Sequence, residues 1–458
     1  MDQPRPSPLA IAPELARRLS TPGPRYTSYP PANLFSEEFG PDDAAEALGR
    51  LGRSGRPVSL YTHLPFCRSL CHYCACNVII TKKNGAASDY LDLLEREVEL
   101  VAGALGARPR ASQVHLGGGT PTYLTCDELR RLHAILSQGF DLSGAEEMAV
   151  EVDPRVTSRE QLATLAELGW NRTSFGVQDF DPEVQRAINR VQSLEQTERL
   201  LEDARDLGYS GINLDLIYGL PYQRPETFRR TLAEVVRLRP ERIALYSYAH
   251  VPWMRVAQNR FVRKNYPLPG PEEKAVLFSE AVETFGAAGY RHLGMDHFAL
   301  PSDELARAQE RGTLHRNFQG YTVRRADDLV GLGASSIGDY AGVYAQNVKE
   351  LEPYREAVNS GRLPVTRGWH LTEDDLARRD AITALMTGSP LAPGSTERFQ
   401  SELAAMDDLV QDGLVRRTPS GIEVTPLGRF FIRNVAMRFD RYIQTKSPSR
   451  LPMYSQTV

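Results

Sequence analysis

The chain contains no apolar run near the roughly 18 residues that a membrane-spanning helix needs, so no stable membrane insertion is expected. Its opening stretch, MDQPRPSPLAIAPELARRLS, lacks the basic-then-apolar layout of a secretory signal. Cysteine is scarce: there are five, and four of them crowd into one run, unlike the spread pairs of a secreted disulfide scaffold. Neither sign of charge dominates. With 54 Lys and Arg against 58 Asp and Glu, the formal charge is −4, which speaks against a dedicated nucleic-acid surface. Low-complexity tracts are absent. These absences point to a protein of the reducing cytoplasm, with no nucleic-acid partner.

What is present is an ordinary globular composition, 41 % hydrophobic and 24 % charged, over 458 residues, long enough for two or three domains. Residues 1–57 read as an extended arm, with STPGPRYTSYPPANLF rich in proline and aromatics, followed by a helix over 42–51. A rhythm then begins. VSLYTHLPF, SQVHLGGGTP, EEMAVEVDP, RTSFGVQDF, SGINLDLIYGLP and RIALYSYAHVP read as strands, each followed by a segment with apolar residues at helical spacing. Six such units predict an α/β domain over 58–300, with parallel strands buried on both faces. The pattern alone allows a partial barrel or an open doubly wound sheet. Residues 301–370 break the rhythm and read as a connecting segment. From 371 to 458 the chain reads as mainly helical around one hairpin, 414–418 with 421–425, in a winged-helix-like pattern.

Polar residues collect at the ends of the expected strands: Cys67, Gly117 to Thr120, Glu151 to Asp153, Gln178, Asp179, Asp215 and His250. In both βα architectures that rim carries the active site. Cys67, Cys71, Cys74 and Cys76 form C-x3-C-x2-C followed by x-C. Structural zinc would want a second thiol pair or suitably spaced histidines, and His63 and His72 fit that spacing poorly. A redox dithiol would use C-x-x-C alone. An iron–sulfur cluster suits four soft thiolates best. Cys74 and Cys76, two residues apart, are expected to point different ways, which counts against four ligands; if only three bind, one iron stays open to a substrate or cofactor. Cys126, alone in PTYLTCDELR, reads as a helix-start residue.

Cys67, Cys71, Tyr73 and Cys74 match the C-x3-C-x-aromatic-C mark of radical S-adenosylmethionine enzymes, which this stretch resembles. The likeness extends through GPRYTSYP, HLPFCRSLCHYCACN, HLGGGTPTYL, EVDPR, GVQDF, QRAINR, DLIYGLP, YAHVP, GMDHFA and HRNFQGYT. Over nearly the whole chain it resembles the oxygen-independent coproporphyrinogen III oxidases. The arm and the CAC run separate it from related haem-binding chaperones on the same scaffold, the alternative reading. The resemblance implies a partial (β/α)6 TIM-like barrel and a [4Fe–4S] cluster on Cys67, Cys71 and Cys74. It implies two S-adenosylmethionine molecules, one cleaved to a 5′-deoxyadenosyl radical that starts decarboxylation of two propionates. Tyr61, Gly118 and Glu151 would meet the first, and Ile337 would be a cofactor contact. Tyr73, Gly119, Thr120, Gln178, Arg190, Asp215 and Ala249 would meet the second or lie near both. Tyr61, Glu151 and Cys76 are the residues implied for catalysis. Arg25, His297, His315, Arg316 and Gln319 are candidates for the anionic substrate, coproporphyrinogen III, with the arm closing over it. An unidentified reductant and electron acceptor are implied as partners, and a monomer.

Overall fold

The computed structural model describes residues 9, 11–83, 85–323, 328–419, 421–443 and 453–458. The six expected strands are β1 (Val58–Leu64), β2 (Ala111–Gly118), β3 (Glu147–Val152), β4 (Arg172–Gln178), β5 (Gly211–Tyr218) and β6 (Arg242–Ser247). They pair in that order, all parallel. Their helices are α1 (Ala86–Leu105), α2 (Cys126–Gly139), α3 (Arg159–Glu167), α4 (Leu194–Asp206), α5 (Pro225–Leu238) and α6 (Pro271–Ala287). Capping boxes start three of them: Thr125 with Glu128, Ser158 with Gln161 and Ser193 with Gln196. Each pair satisfies amide N–H groups that the first helical turn would otherwise leave without acceptors. Central strands such as β1 are buried on both faces, which is why they read as near-continuous apolar runs.

The sheet grows past β6 already before residue 301, and residues 301–370 do more than connect. β7 (Arg291–Leu293) and β8 (His297–Ala299) extend the sheet beyond β6, and β9 (Leu329–Leu332) pairs parallel with β1 on its other side. β10 (Ile337–Tyr340), β11 (Val343–Asn347) and β12 (Val365–His370) continue antiparallel, so one sheet holds twelve strands. The result is a partial barrel of parallel strands with an antiparallel extension on each side.

A buried carboxylate fastens β9 to the barrel. Glu97 of α1 accepts from the Gly333 amide (2.7 Å), the Asn347 amide side chain (2.6 Å) and the Tyr354 hydroxyl (2.6 Å). Beside it, the Tyr90 hydroxyl donates to the His63 carbonyl and accepts from the Ala334 N–H, both at 2.9 Å. Burial raises the Glu97 carboxyl to about 7, against the pull of its three donors.

The arm helix expected over 42–51 spans Pro41–Ser54. Ahead of it, the arm is held by polar contacts to the C-terminal region and the barrel rim. Arg433 Nε donates to the Pro24 carbonyl (2.9 Å), the Tyr26 hydroxyl to Asp440 (2.9 Å), and Arg25 to the Ser247 carbonyl at the end of β6. The C-terminal hairpin falls at Val415–Thr418 with Gly421–Val424, among helices. Among the described residues, no helix is long and apolar enough to cross a membrane.

Candidate active site

Side chains alternate along a strand, so residues two apart share a face. On the inner face of the barrel this brings together Tyr61 and His115, which are paired in register, Glu151 beside Ser174, and then Asn213, Asp215 and Tyr246. Above them, the cysteine loop and the glycine loop after β2 run side by side. The Gly119 N–H donates to the Leu64 carbonyl and the Thr120 N–H to that of Phe66, both at 2.8 Å. A Cβ on Gly119 would come within 2.7 Å of the Pro65 and Phe66 backbone. Gly118 has φ +108°, and a Cβ there would strike the His63 ring. Both glycines thus serve close packing as well as any ligand.

Cys67, Cys71, Tyr73, Cys74, Cys76, Gly118, Gly119, Thr120, Glu151, Gln178, Arg190 and Asp215 all line one cavity of ≈ 270 Å³. Tyr61 and Ile337 are not among its lining residues. The Tyr61 ring stacks on His115, and Tyr61 is in register with Gly331, whose inner side abuts the Ile337 backbone. Ala249 lies off the wall, in the loop after β6, where its carbonyl accepts from Gln258 (3.1 Å). Gln178 ends β4 with φ +68°, a conformation costly for a residue with a side chain, at a register shift between β4 and β5.

The charges are organised around the cysteines. Asp153 sits between two guanidinium groups, accepting from Arg155 (2.7 Å) and Arg190 (3.2 Å). Both arginines also reach the Cys71 sulfur, at 3.6 and 3.7 Å. Burial opposes ionisation of Asp153, but the two cations hold it below the usual carboxylate range. Arg190 further caps the Gly176 carbonyl (2.6 Å). Glu151 is likewise held low despite burial, by His115 (3.3 Å) and the Gly118 N–H (3.1 Å). Asp215, bonded to Ser174 and Asn213 at 2.8 Å each, is pushed up to about 6 by burial and by the Glu151 charge.

Cys74 and Cys76 correct one expectation. They are not turned apart: the Cys76 thiol hydrogen-bonds to Cys74, which that bond brings down to about 7, while Cys76 is raised. Residues two apart in extended chain share a face, so spacing never separated them. Setting Cys76 outside the ligand group rests on the family resemblance alone. Among the described residues, no three His, Cys, Asp or Glu side chains converge as a single metal ion requires. A cluster does not demand this, because each thiolate binds a separate iron. The donor set fits it: soft sulfurs on one loop, with two cations beside Cys71 to offset negative charge.

The substrate candidates do not share one wall. His297 and Gln319 line a second cavity of ≈ 120 Å³, which joins the first through Glu151, Ser174, Asp215 and Tyr246. His315 and Arg316 line a third cavity under the arm, which meets the second at Asn317 and Leu329, and Arg316 donates to the Arg25 (3.0 Å) and Tyr26 (2.7 Å) carbonyls. Arg25 is buried beside Asp296 and Ser247. Three residues near the site were given no role there by the sequence, although His63 was weighed as a zinc ligand. His115 meets Glu151. Arg155 meets Cys71. His63 donates from Nε2 to the Asn77 carbonyl (2.9 Å), leaving Nδ1 to accept from Tyr61 (3.1 Å). The alternation in THL and QVHLGG was the available signal for both histidines.

Comparison with known proteins bears on this geometry. The family model described as the radical SAM superfamily matches residues 61–235. An oxygen-independent coproporphyrinogen III oxidase from Pseudomonas aeruginosa is 44 % identical over 448 residues, 95 % of this chain and 97 % of that protein. The enzyme of that name from Escherichia coli is 43 % identical, over 97 % of this chain and 98 % of its own. A solved Escherichia coli coproporphyrinogen III oxidase, described as a radical SAM enzyme, superposes with a TM-score of 0.85 over 91 % of this chain and 97 % of that one. With likeness of this depth running from arm to C-terminal helices, the chain belongs to the oxygen-independent coproporphyrinogen III oxidase family of the radical SAM superfamily.

Proposed function

We propose that the chain converts coproporphyrinogen III to protoporphyrinogen IX without oxygen, in haem biosynthesis, turning two propionates into vinyl groups with loss of carbon dioxide. Near-full-length identity to enzymes of that name supports it, and one observation in the structure carries it. Twelve residues expected at the site, from the cysteine loop, four strand ends and the loop that carries Arg190, line a single cavity.

Cys67, Cys71 and Cys74 would hold the [4Fe–4S] cluster and leave one iron for S-adenosylmethionine. When bound, that pair supplies a 5′-deoxyadenosyl radical able to take hydrogen from a propionate β-carbon. Glu151, kept ionised, can accept from ribose hydroxyls, and the Gly118 turn brings backbone close to the methionine end. Tyr61 is fixed by His63 and by stacking on His115, so its face is set before any ligand arrives. A second S-adenosylmethionine would meet Gln178, Arg190 and Asp215. The arm, anchored at the β6 rim, keeps water from that end of the barrel.

The testing experiment is anaerobic turnover. Cluster-loaded protein with coproporphyrinogen III, S-adenosylmethionine and dithionite should release carbon dioxide and form protoporphyrinogen IX. Stable haem binding with the substrate left untouched would favour the haem-carrying relatives instead. Asp215 adds a pH signature. Its folded value is raised to about 6, so the carboxylate is present above that pH and lost below it. S-adenosylmethionine binding at the second site should weaken about tenfold per unit as pH falls below 6, and Asp215→Asn should flatten the profile. Equilibrium dialysis from pH 5 to 8 measures both.

A further inference from the structure

Cations and exposed apolar side chains gather on the outside of the cysteine loop. Residues 65–83, which carry the loop, contain Arg68, Lys82 and Lys83 and no acid. Residues 250–270 contain Arg255, Arg260, Arg263 and Lys264 and again no acid, in a chain that is negative overall. These two stretches touch. Gln258 donates to the Tyr73 carbonyl (3.2 Å), and Phe261 meets the His72 ring edge-on. Among the described residues seven large hydrophobic side chains are exposed, and four of them, Trp253, Met254, Val256 and Val262, fall within ten residues of this segment. Val256 is 77 % exposed and Val262 58 %. A fifth, Ile80, is paired in register with Cys67. The two stretches together carry seven cations, five exposed apolar side chains and no acid, and they meet at Tyr73, next to Cys74.

We propose that this face is the docking surface of an acidic one-electron carrier protein. The inference rests on the radical reading, which needs one electron delivered to the cysteine loop. Electron transfer falls off steeply with distance, so a donor must dock where the loop approaches the surface. Met, Trp and Arg are the side chains enriched at protein interfaces. The cations steer a negatively charged partner, and the exposed apolar side chains favour a protein over a nucleic acid. In the encounter one electron leaves the carrier's reduced centre and enters the centre held by the loop. The carrier is oxidised by one electron, and no bond is made or broken.

The test compares cluster-loaded wild type with an Arg255→Glu, Arg260→Glu, Arg263→Glu variant, all three exposed and outside the cavity. An acidic flavodoxin in its hydroquinone form serves as probe, in anaerobic stopped flow. At low salt the second-order rate of loop-centre reduction should fall about 10–100-fold in the variant. The wild-type rate should fall with added salt. Reduction by excess dithionite, and the 5′-deoxyadenosine it yields, should match in both proteins. Arg416→Glu, on the C-terminal hairpin, should change nothing. A variant rate equal to wild type, or a wild-type rate indifferent to salt, overturns the proposal. So does loss of duplex RNA or anionic vesicle binding at an unchanged carrier rate. Failure of dithionite to reduce even the wild type would fall on the radical reading and take this proposal with it.

Discussion

Cys71→Ser is expected to purify colourless, with little iron, and with turnover reduced by more than about 10³-fold. Serine keeps the side-chain size but replaces a soft, readily ionised sulfur with a hard hydroxyl that stays protonated. The consequence at Cys71 is sharper than at an isolated thiol, because both Arg155 and Arg190 point at that sulfur. Losing the thiolate leaves two buried cations sharing Asp153 alone. Cys67→Ser and Cys74→Ser should behave likewise, whereas Cys76→Ser should keep its iron. Iron content and the paramagnetic resonance of the dithionite-reduced protein decide this. A full four-iron signal and normal turnover in Cys71→Ser would remove it from the ligand set. Iron loss in Cys76→Ser would add that residue, an outcome made pointed by the Cys74–Cys76 contact.

Arg190→Met is expected to destabilise the apo-protein by about 3–5 kcal/mol, the cost of removing one partner of a buried ion pair. Its guanidinium is buried and makes three kinds of contact: the Gly176 carbonyl, Asp153 and Cys71. Methionine matches the stem but leaves the Gly176 carbonyl without that donor. Asp153 then keeps one cation in place of two, so its protonation should shift upward. Arg190→Lys retains the charge yet cannot bond both the carbonyl and the carboxylate with the same planar fork, so it should recover only part of the loss. Urea unfolding of the apo-protein measures the stability. Equal midpoints for wild type and methionine variant would show that the clamp carries no net energy.

How much of this could be read in advance varies by element. The six βα units were legible because buried parallel strands and amphipathic helices leave opposite periodicities, and the capping pairs mark where helices begin. The cysteine loop was legible through its spacing, and the ligand set within it is what the family resemblance implies. β9 was not legible: LVGL is four residues long, and its place beside β1 is backed by Glu97, which holds the Gly333 amide across a separation of 236 residues. His115 and Arg155 were missed because a histidine in a strand and an arginine after Asp-Pro are ordinary residues until the fold sets them against Glu151 and Cys71. The scattering of the substrate candidates among several cavities was hidden for the same reason. Loop sequence names the charges without saying which wall they will share.

The position of β9 has a consequence for how the protein is made. β1 carries Tyr61 and leads directly into the cysteine loop, yet one of its two neighbours is synthesised about 270 residues after it. A chain still on the ribosome can pair β1 through β6 in order, each strand adding to the last. Until residues 329–332 emerge, β1 remains an open edge with its outer amides and carbonyls exposed, a template for pairing with the wrong chain. The Glu97 carboxylate is likewise left facing apolar surroundings until Gly333, Asn347 and Tyr354 arrive. The strand that positions the cysteine loop is therefore among the first made and among the last secured, so iron that reaches the nascent chain early would meet thiols on a scaffold not yet closed.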